Sequence, residues 1–493
     1  MSEPPRPVAP GPSGNAWLAR VGRWLGPAVF AAFLLWPPGG RFDPDAWVVL
    51  GLTLFMAIWW ITEAAPIPVT AALPVALLPV LGVVPIAEAT APYANPLIFL
   101  FVGGFAVALA VQRWNLHRRV ALAILDFSGH RLDRLTGGFM LATAGLSMWV
   151  SNTATAALML PIALSVLAVV ETDPEARGAG SRPAVALLLG IAFAANIGGM
   201  ATLIGSPPNA LTAAFLNERY GLEIGFVQWL MMGLPIAALL LAFTWWSLTH
   251  WLFPVHRIGL TSLGDMIVQQ RAELGGWSSA ERRVATIFGI VAMAWLLRPL
   301  LNDFLPLDLT DAGIAVLGAV LLFLLPSGRP EQRFLLAWEN TRDLPWGVLI
   351  LVGGGLSLGA AIEGSGLAAL IAESLQGVVQ MPFWILIFGV ILLTMSLSHV
   401  TSNTATTATL LPLVAALAVQ TSTGPVILTV PVALAASAAF MLPVATPPNA
   451  IVFGSDRLTV LDMVRGGALP SFAAMLLLIL VALFWVGRVL GSG

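Results

Sequence analysis

Two stretches of this chain carry the same short polar side chains in the same order. Ser-Asn-Thr-Ala-Thr begins at Ser151 and again at Ser402, and each opens a long apolar run. A second pair follows, Gly-Ser-Pro-Pro-Asn-Ala at 205–210 and Ala-Thr-Pro-Pro-Asn-Ala at 445–450. Ser, Asn and Thr satisfy the free N–H groups at a helix start. That end also carries roughly half a positive charge, which suits an anion. Two successive prolines remove two backbone donors and break a helix, freeing upstream carbonyls. Such oxygens are hard ligands suited to Na⁺, and Gly205 and Ala445 are small enough to let an ion approach the main chain. No Arg or Lys lies in any of the four segments. A dianion held there needs co-bound cations to balance it, so the spacing points to cation-dependent anion transport.

The elements that must position these residues are membrane helices. The 493-residue chain is 58% hydrophobic and only 10% charged, with a mean hydropathy of +0.89. A soluble domain carries about a quarter charged residues. Apolar runs near span length recur throughout, and lipid leaves backbone groups no partner but each other, so the fold class is an all-α polytopic membrane protein. Spans are expected at 17–36, 46–63, 66–86, 95–112, 184–215, 226–253, 284–302, 309–326, 345–362, 427–454 and 468–490, about eleven transmembrane helices. Residues 136–169 and 382–420 are too long for one span and are interrupted by Ser-Asn-Thr; both read as re-entrant hairpins. Residues 184–215 and 427–454 read as broken helices. Residues 1–16 are Pro-rich and read as a disordered tail.

The halves repeat each other. Phe-Val-Gly-Gly at 101–104 matches Leu-Val-Gly-Gly at 351–354, and the hairpin and Pro-Pro-Asn motifs follow each in the same order. The first repeat is taken as 17–255 and the second as 282–493, joined by a polar linker at 256–281. All 23 basic residues are Arg. Placing the N-terminus in the cytoplasm puts most of them inside. The amphipathic stretch 113–134 carries Arg113, Arg118, Arg119, Arg131 and Arg134; its counterpart, 363–381, carries none. One element thus lies inside in one half and outside in the other, an inverted-topology repeat. The location expected is the cell inner membrane.

The motifs Ser-Met-Trp-Val-Ser-Asn-Thr-Ala-Thr (147–155), Gly-Ser-Pro-Pro-Asn-Ala and Ala-Ala-Ser-Ala-Ala-Phe-Met-Leu-Pro-Val-Ala-Thr-Pro-Pro-Asn-Ala (435–450) resemble the divalent anion/sodium symporter family. The resemblance runs from about residue 45 to the C-terminus. It implies a homodimer whose protomers have eleven spans and two re-entrant hairpins, with scaffold and transport domains that work as an elevator. It implies a first sodium site at Ser147, Ser151, Asn152 and Gly205, and a second at Ser398, Thr401, Asn403 and Ala445. The substrate carboxylates would meet Ser151, Asn152, Thr153, Ser206 and Pro207 on one side, and Ser402, Asn403, Thr404, Thr446 and Pro447 on the other. Spans at 17–112 and 284–362 would supply the scaffold. Many members have Thr-Glu-Phe-Thr before the second motif, where this chain has Ser-His-Val-Thr at 398–401. The role of His399 stays open.

Together these readings point to Na⁺-coupled symport of C4 dicarboxylates such as succinate, malate and fumarate. A Na⁺-independent dicarboxylate exchanger, or a carrier of citrate or sulfate, are the alternatives. An enzyme is not expected: no Cys is present, and no His-Glu-x-x-His occurs. No cofactor is expected beyond Na⁺ as coupling ion, and no basic block suggests nucleic acid. The partners expected are a small dicarboxylate, Na⁺, membrane lipid and a second copy of the chain. Val-Gly-Gly at 102–104 and 352–354 reads as close helix packing.

Overall fold

The computed structural model describes residues 16–36, 43–129, 131–172, 180–255, 270–304, 306, 308–374, 381–421 and 423–490. The tail expected over 1–16 and the linker expected over 256–281 lie largely outside the described residues. Within them, nine helices are long and apolar enough to cross a membrane. Helices begin where the sequence supplies caps. Asp43 accepts from the Asp45 N–H at 2.9 Å, and Thr459 and Asp462 form a reciprocal capping box.

The two halves follow one order. A glycine-bearing helix (Pro96–Arg113; Trp346–Gly364) leads into a short amphipathic one (Leu116–Asp126; Leu367–Ser374). The turn between them passes through a positive φ at equivalent positions, Asn115 at 55° and Gly366 at 75°, which Asn and Gly tolerate. A helix pair follows (Leu132–Ser147 with Asn152–Thr172; Phe383–Ser398 with Asn403–Gln420). Then comes a broken helix (Arg182–Met200 with Pro207–Tyr220; Pro425–Ala436 with Pro447–Phe453). A long helix closes each unit (Phe226–Trp246; Val460–Phe484).

Three expected elements differ. The span at 66–86 is two short helices, Ile67–Ala71 and Leu73–Val80, because Pro74 and Pro79 remove donors that one continuous helix from Ile67 would need. The span at 309–326 shortens to Asp311–Leu324, and a two-stranded antiparallel ribbon, Pro326–Arg329 with Gln332–Phe334, follows it. The last span starts earlier than expected, at Val460.

The Val-Gly-Gly motifs do pack closely. A Cβ at Gly103 would lie 2.4 Å from the Ala315 carbonyl carbon, and one at Gly354 would lie 2.1 Å from the Ala71 oxygen. Any side chain there pushes backbone from backbone. Gly103→Val should therefore lower stability by about 1–3 kcal/mol, read as a lower melting temperature of the purified protein. An unchanged melting temperature would contradict this packing.

Candidate functional site

Each Ser-Asn-Thr motif sits where one helix of a pair ends and the next begins. The first pair turns at 148–151, so Asn152 starts a helix. Ser147, fully buried, donates from Oγ to Ala195 O at 2.7 Å and lies 2.6 Å from the Asn152 amide. The second half repeats this arrangement. Ser398 Oγ donates to Ala436 O at 2.6 Å and lies 2.7 Å from the Asn403 amide. In each half a serine thus joins its own helix-start asparagine to a carbonyl of the first segment of the broken helix, Ala195 within Arg182–Met200 and Ala436 at the end of Pro425–Ala436. The inward atom of the Asn152 amide also lies 3.1 Å from Gly205 O and 3.2 Å from Ala195 O. As nitrogen it donates to these oxygens; as oxygen it completes a set of four that a small cation would bridge. A Cβ at Gly199 would meet Asn152 Oδ1 at 2.5 Å, so only glycine admits this approach.

Capping is less symmetrical than expected. Ser151 Oγ accepts from the Ala154 N–H at 3.3 Å, whereas the Ser402 hydroxyl makes no capping bond. Thr401, largely buried, donates to Leu397 O at 2.9 Å and shares a hydrogen bond with Thr406 at 2.7 Å.

The proline pairs do not break their helices. Pro207 and Pro208 open the second half-helix, as do Pro447 and Pro448, where no intrahelical donor is lost. The unwinding lies upstream, at 201–206 and 437–446. Its freed carbonyls are not all available, because the asparagine of each motif takes two. Asn209 Nδ2 donates to Gly199 O at 2.9 Å and Thr202 O at 2.8 Å; Asn449 Nδ2 donates to Phe440 O at 3.2 Å and Leu442 O at 2.9 Å.

The halves interlock at these breaks. Asn196 Nδ2 donates to Thr446 Oγ1 at 2.9 Å, and Ser206 and Ser437 share a hydrogen bond at 3.3 Å. The helix after each Ser-Asn-Thr packs on the Pro-Pro-Asn helix of the opposite half. All four motifs therefore form one block, although among the described residues no hydrogen bond joins the two tripeptides directly. Ser206, Thr446, Gly205 and Ala445 are buried; Ser151, Thr153 and Pro447 are exposed, and Asn152, Pro207, Ser402, Asn403 and Thr404 are half-buried. The sequence reading missed Asn196, Thr202, Asn209, Ser437 and Asn449. A lone Asn in the apolar run 184–200, and the asparagine that ends each repeated motif, were the available signals.

The chain matches the family described as the sodium:sulfate symporter transmembrane region over residues 20–492. The chain belongs to that family. The divalent anion/sodium symporter resemblance of its motifs is thus borne out across nearly the whole length. Among similar proteins are the sodium-dependent dicarboxylate transporter SdcS of Staphylococcus saprophyticus, 39% identical over 481 residues, and that of Staphylococcus aureus strain USA300, 38% identical over 478. Both alignments cover 96% of this chain and 92% of the relative.

This family member holds two grooves related by its repeat, and they differ. The helix Asn152–Thr172 lines a cavity of about 840 Å³ with Asn115, Arg118, Gln270 and Glu273. The equivalent groove beside Asn403–Gln420 holds about 290 Å³, and Arg219 pairs with Glu363 across it. There, helix Asn403–Gln420 packs on Pro44–Thr62, Trp346–Gly364 and Leu367–Ser374. Its counterpart Asn152–Thr172 packs mainly on its hairpin partner and on the two broken helices. The groove beside Asn152–Thr172 is the more open of the two. In this naturally cysteine-free chain, a single cysteine at Ser165 in the more open groove should react with maleimide far faster than one at the equivalent, buried Ala416. Equal rates would contradict the asymmetry.

Proposed function

We propose that this protein is a secondary active transporter that takes up C4 dicarboxylates, such as succinate, malate and fumarate, together with Na⁺. It is a multi-pass membrane transporter and not an enzyme. Na⁺-coupled dicarboxylate symport agrees with the names of its relatives. The observation that carries the reading in this chain is the duplicated Ser–Asn–carbonyl cluster, Ser147–Asn152–Ala195 and Ser398–Asn403–Ala436, at two helix breaks that interlock.

The assignment follows the exposure of the groups. Ser147, Ser151, Asn152 and Gly205 hold one Na⁺; Ser398, Thr401, Asn403 and Ala445 hold the other. Neutral hydroxyl, amide and carbonyl oxygens suit a hard monovalent cation. The dicarboxylate lies against Ser151, Asn152, Thr153 and Pro207 at one end and Ser402, Asn403, Thr404 and Pro447 at the other. Ser206 and Thr446 shape this floor from beneath, since each hydroxyl is spent on the opposite half. The helix starts at Asn152 and Asn403 supply partial positive charge, and the two cations supply the rest. Because no Arg grips the anion, its affinity falls when Na⁺ leaves, which couples the two fluxes.

In this reading the helix pairs are re-entrant hairpins among about eleven spans, the N-terminus is cytoplasmic, and the membrane is the inner one. The groove with Arg118 then faces the cytoplasm, so the conformation is open inward. The transport unit moves as an elevator against a dimeric scaffold built from 17–112 and 284–362. The two grooves support such a movement, because the repeat supplies a second arrangement in which open and closed exchange places.

The experiment is uptake of radiolabelled succinate into empty proteoliposomes under an inward Na⁺ gradient, with choline as control. Uptake should require Na⁺, and Asn152→Ala or Asn403→Ala should abolish it while leaving elution volume in detergent unchanged. Uptake only into vesicles preloaded with dicarboxylate would identify an exchanger instead. Normal uptake by both variants would show that the site is misplaced.

A further inference from the structure

We propose that His399 is a positioning residue for the second cation site, a neutral imidazole strut that fixes the unwound segment 437–446 against the tip of the second hairpin. This rests on the assignment of Ser398, Thr401, Asn403 and Ala445 as Na⁺ ligands.

His399 follows directly on Phe383–Ser398 and is 6% exposed. Its Nε2 lies 3.3 Å from the Met441 N–H, and its Nδ1 lies 2.7 Å from Met395 O. A backbone N–H can only donate and a carbonyl can only accept. Nε2 is therefore the acceptor and Nδ1 carries the proton, so both ring nitrogens are used and the tautomer is set. The ring spans from the last turn of one helix to the backbone of another element.

The segment it reaches is held at several points along its length. Asn449 holds the carbonyls on either side of Met441, those of Phe440 and Leu442. Gly467 backs the segment so closely that a Cβ there would lie 2.6 Å from Phe440 O. Ser398 Oγ fixes its start through Ala436 O. Ser206 and Ser471 hold its first residues, at Ser437 and the Ala438 carbonyl, and Asn196 holds its last, Thr446; His399 holds its middle, at the Met441 N–H. Ala445 lies four residues further along the same unwound segment, so a shift at Met441 carries its carbonyl with it.

The first half meets the same need differently. Met148 stands where His399 does, and it cannot accept from the segment through its side chain in the same way. Instead Thr202, within the unwound segment, donates from Oγ1 to Met148 O and accepts from the Gly205 N–H at 3.0 Å. Asn209 and Gly233 there play the parts of Asn449 and Gly467. Each half thus ties hairpin tip to unwound segment with one side chain, but from opposite sides of the gap. Two chemically unrelated ties at equivalent places mark the tie itself as the requirement.

The test is a Na⁺ titration of the purified full-length protein, read as thermal stabilisation, alongside Na⁺-dependent succinate uptake in proteoliposomes. His399→Ala should raise the Na⁺ concentration for half-maximal effect about ten-fold, as loss of a partner one step behind a metal ligand does. The KM for succinate at saturating Na⁺ should change little. His399→Gln, whose amide places a neutral acceptor near the Nε2 position, should restore most of the Na⁺ response. A purely structural role would lower the melting temperature in choline but leave the Na⁺ midpoint alone. An unchanged midpoint in His399→Ala, or a His399→Gln variant as impaired as the alanine one, overturns the strut. If His399→Ala does not fold, the glutamine variant alone decides. Asn403→Ala, run in parallel, separates the two assignments: if it too keeps the wild-type midpoint, the cation site itself is wrongly placed.

Discussion

A helix that stops in the middle of a lipid bilayer leaves backbone groups with no water to meet them, and each needs a partner from the protein or a ligand. Four helices here start or stop beside one another in an apolar block. The chain meets that demand with uncharged groups. Ser147 binds the Ala195 carbonyl within the first broken helix and Ser398 the Ala436 carbonyl at the end of its counterpart, and Asn209 and Asn449 take carbonyls at the unwinding itself. The helix starts at Asn152 and Asn403 are half-buried and so accessible. In the function proposed here, a dianion with its cations completes the bonding.

Duplication gives this arrangement its second property. Asn196 with Thr446, and Ser437 with Ser206, are equivalent contacts made once from each half, so the two sites are fastened into one unit. The surroundings of that unit are not symmetrical. The helix after Ser402 is packed against its neighbours, and an ion pair, Arg219 with Glu363, spans its groove. The helix after Ser151 stands beside a cavity nearly three times larger. A unit with internal symmetry in asymmetric surroundings has two ways to sit, which is the minimum that alternating access requires.

Much of this was legible in the residues. The repeat, the apolar runs and the two motif pairs were visible because each depends on local composition and on a fixed offset along the chain. Fine placement was not. The prolines looked like helix breakers, but their partner was the start of the next helix, a distinction made by three-dimensional context. Asn196 was invisible as a site residue because its partner, Thr446, lies on the other half of the chain. The short helices at 67–80 replaced an expected span because hydropathy alone does not weigh Pro74 and Pro79 inside one run. The asymmetry of the grooves could not be read, because it depends on how each hairpin packs against the rest of the chain and not on local composition.

The account's central statement is that the anion is held at mid-depth by opposed helix starts and co-bound alkali ions, without a basic side chain. The most direct measurement is the melting temperature of purified protein with a panel of dianions, in Na⁺ and in choline. A C4 dicarboxylate should stabilise the protein in Na⁺ and leave it unchanged in choline. Equal stabilisation in both salts would contradict the account, because the anion would then be held by the protein alone.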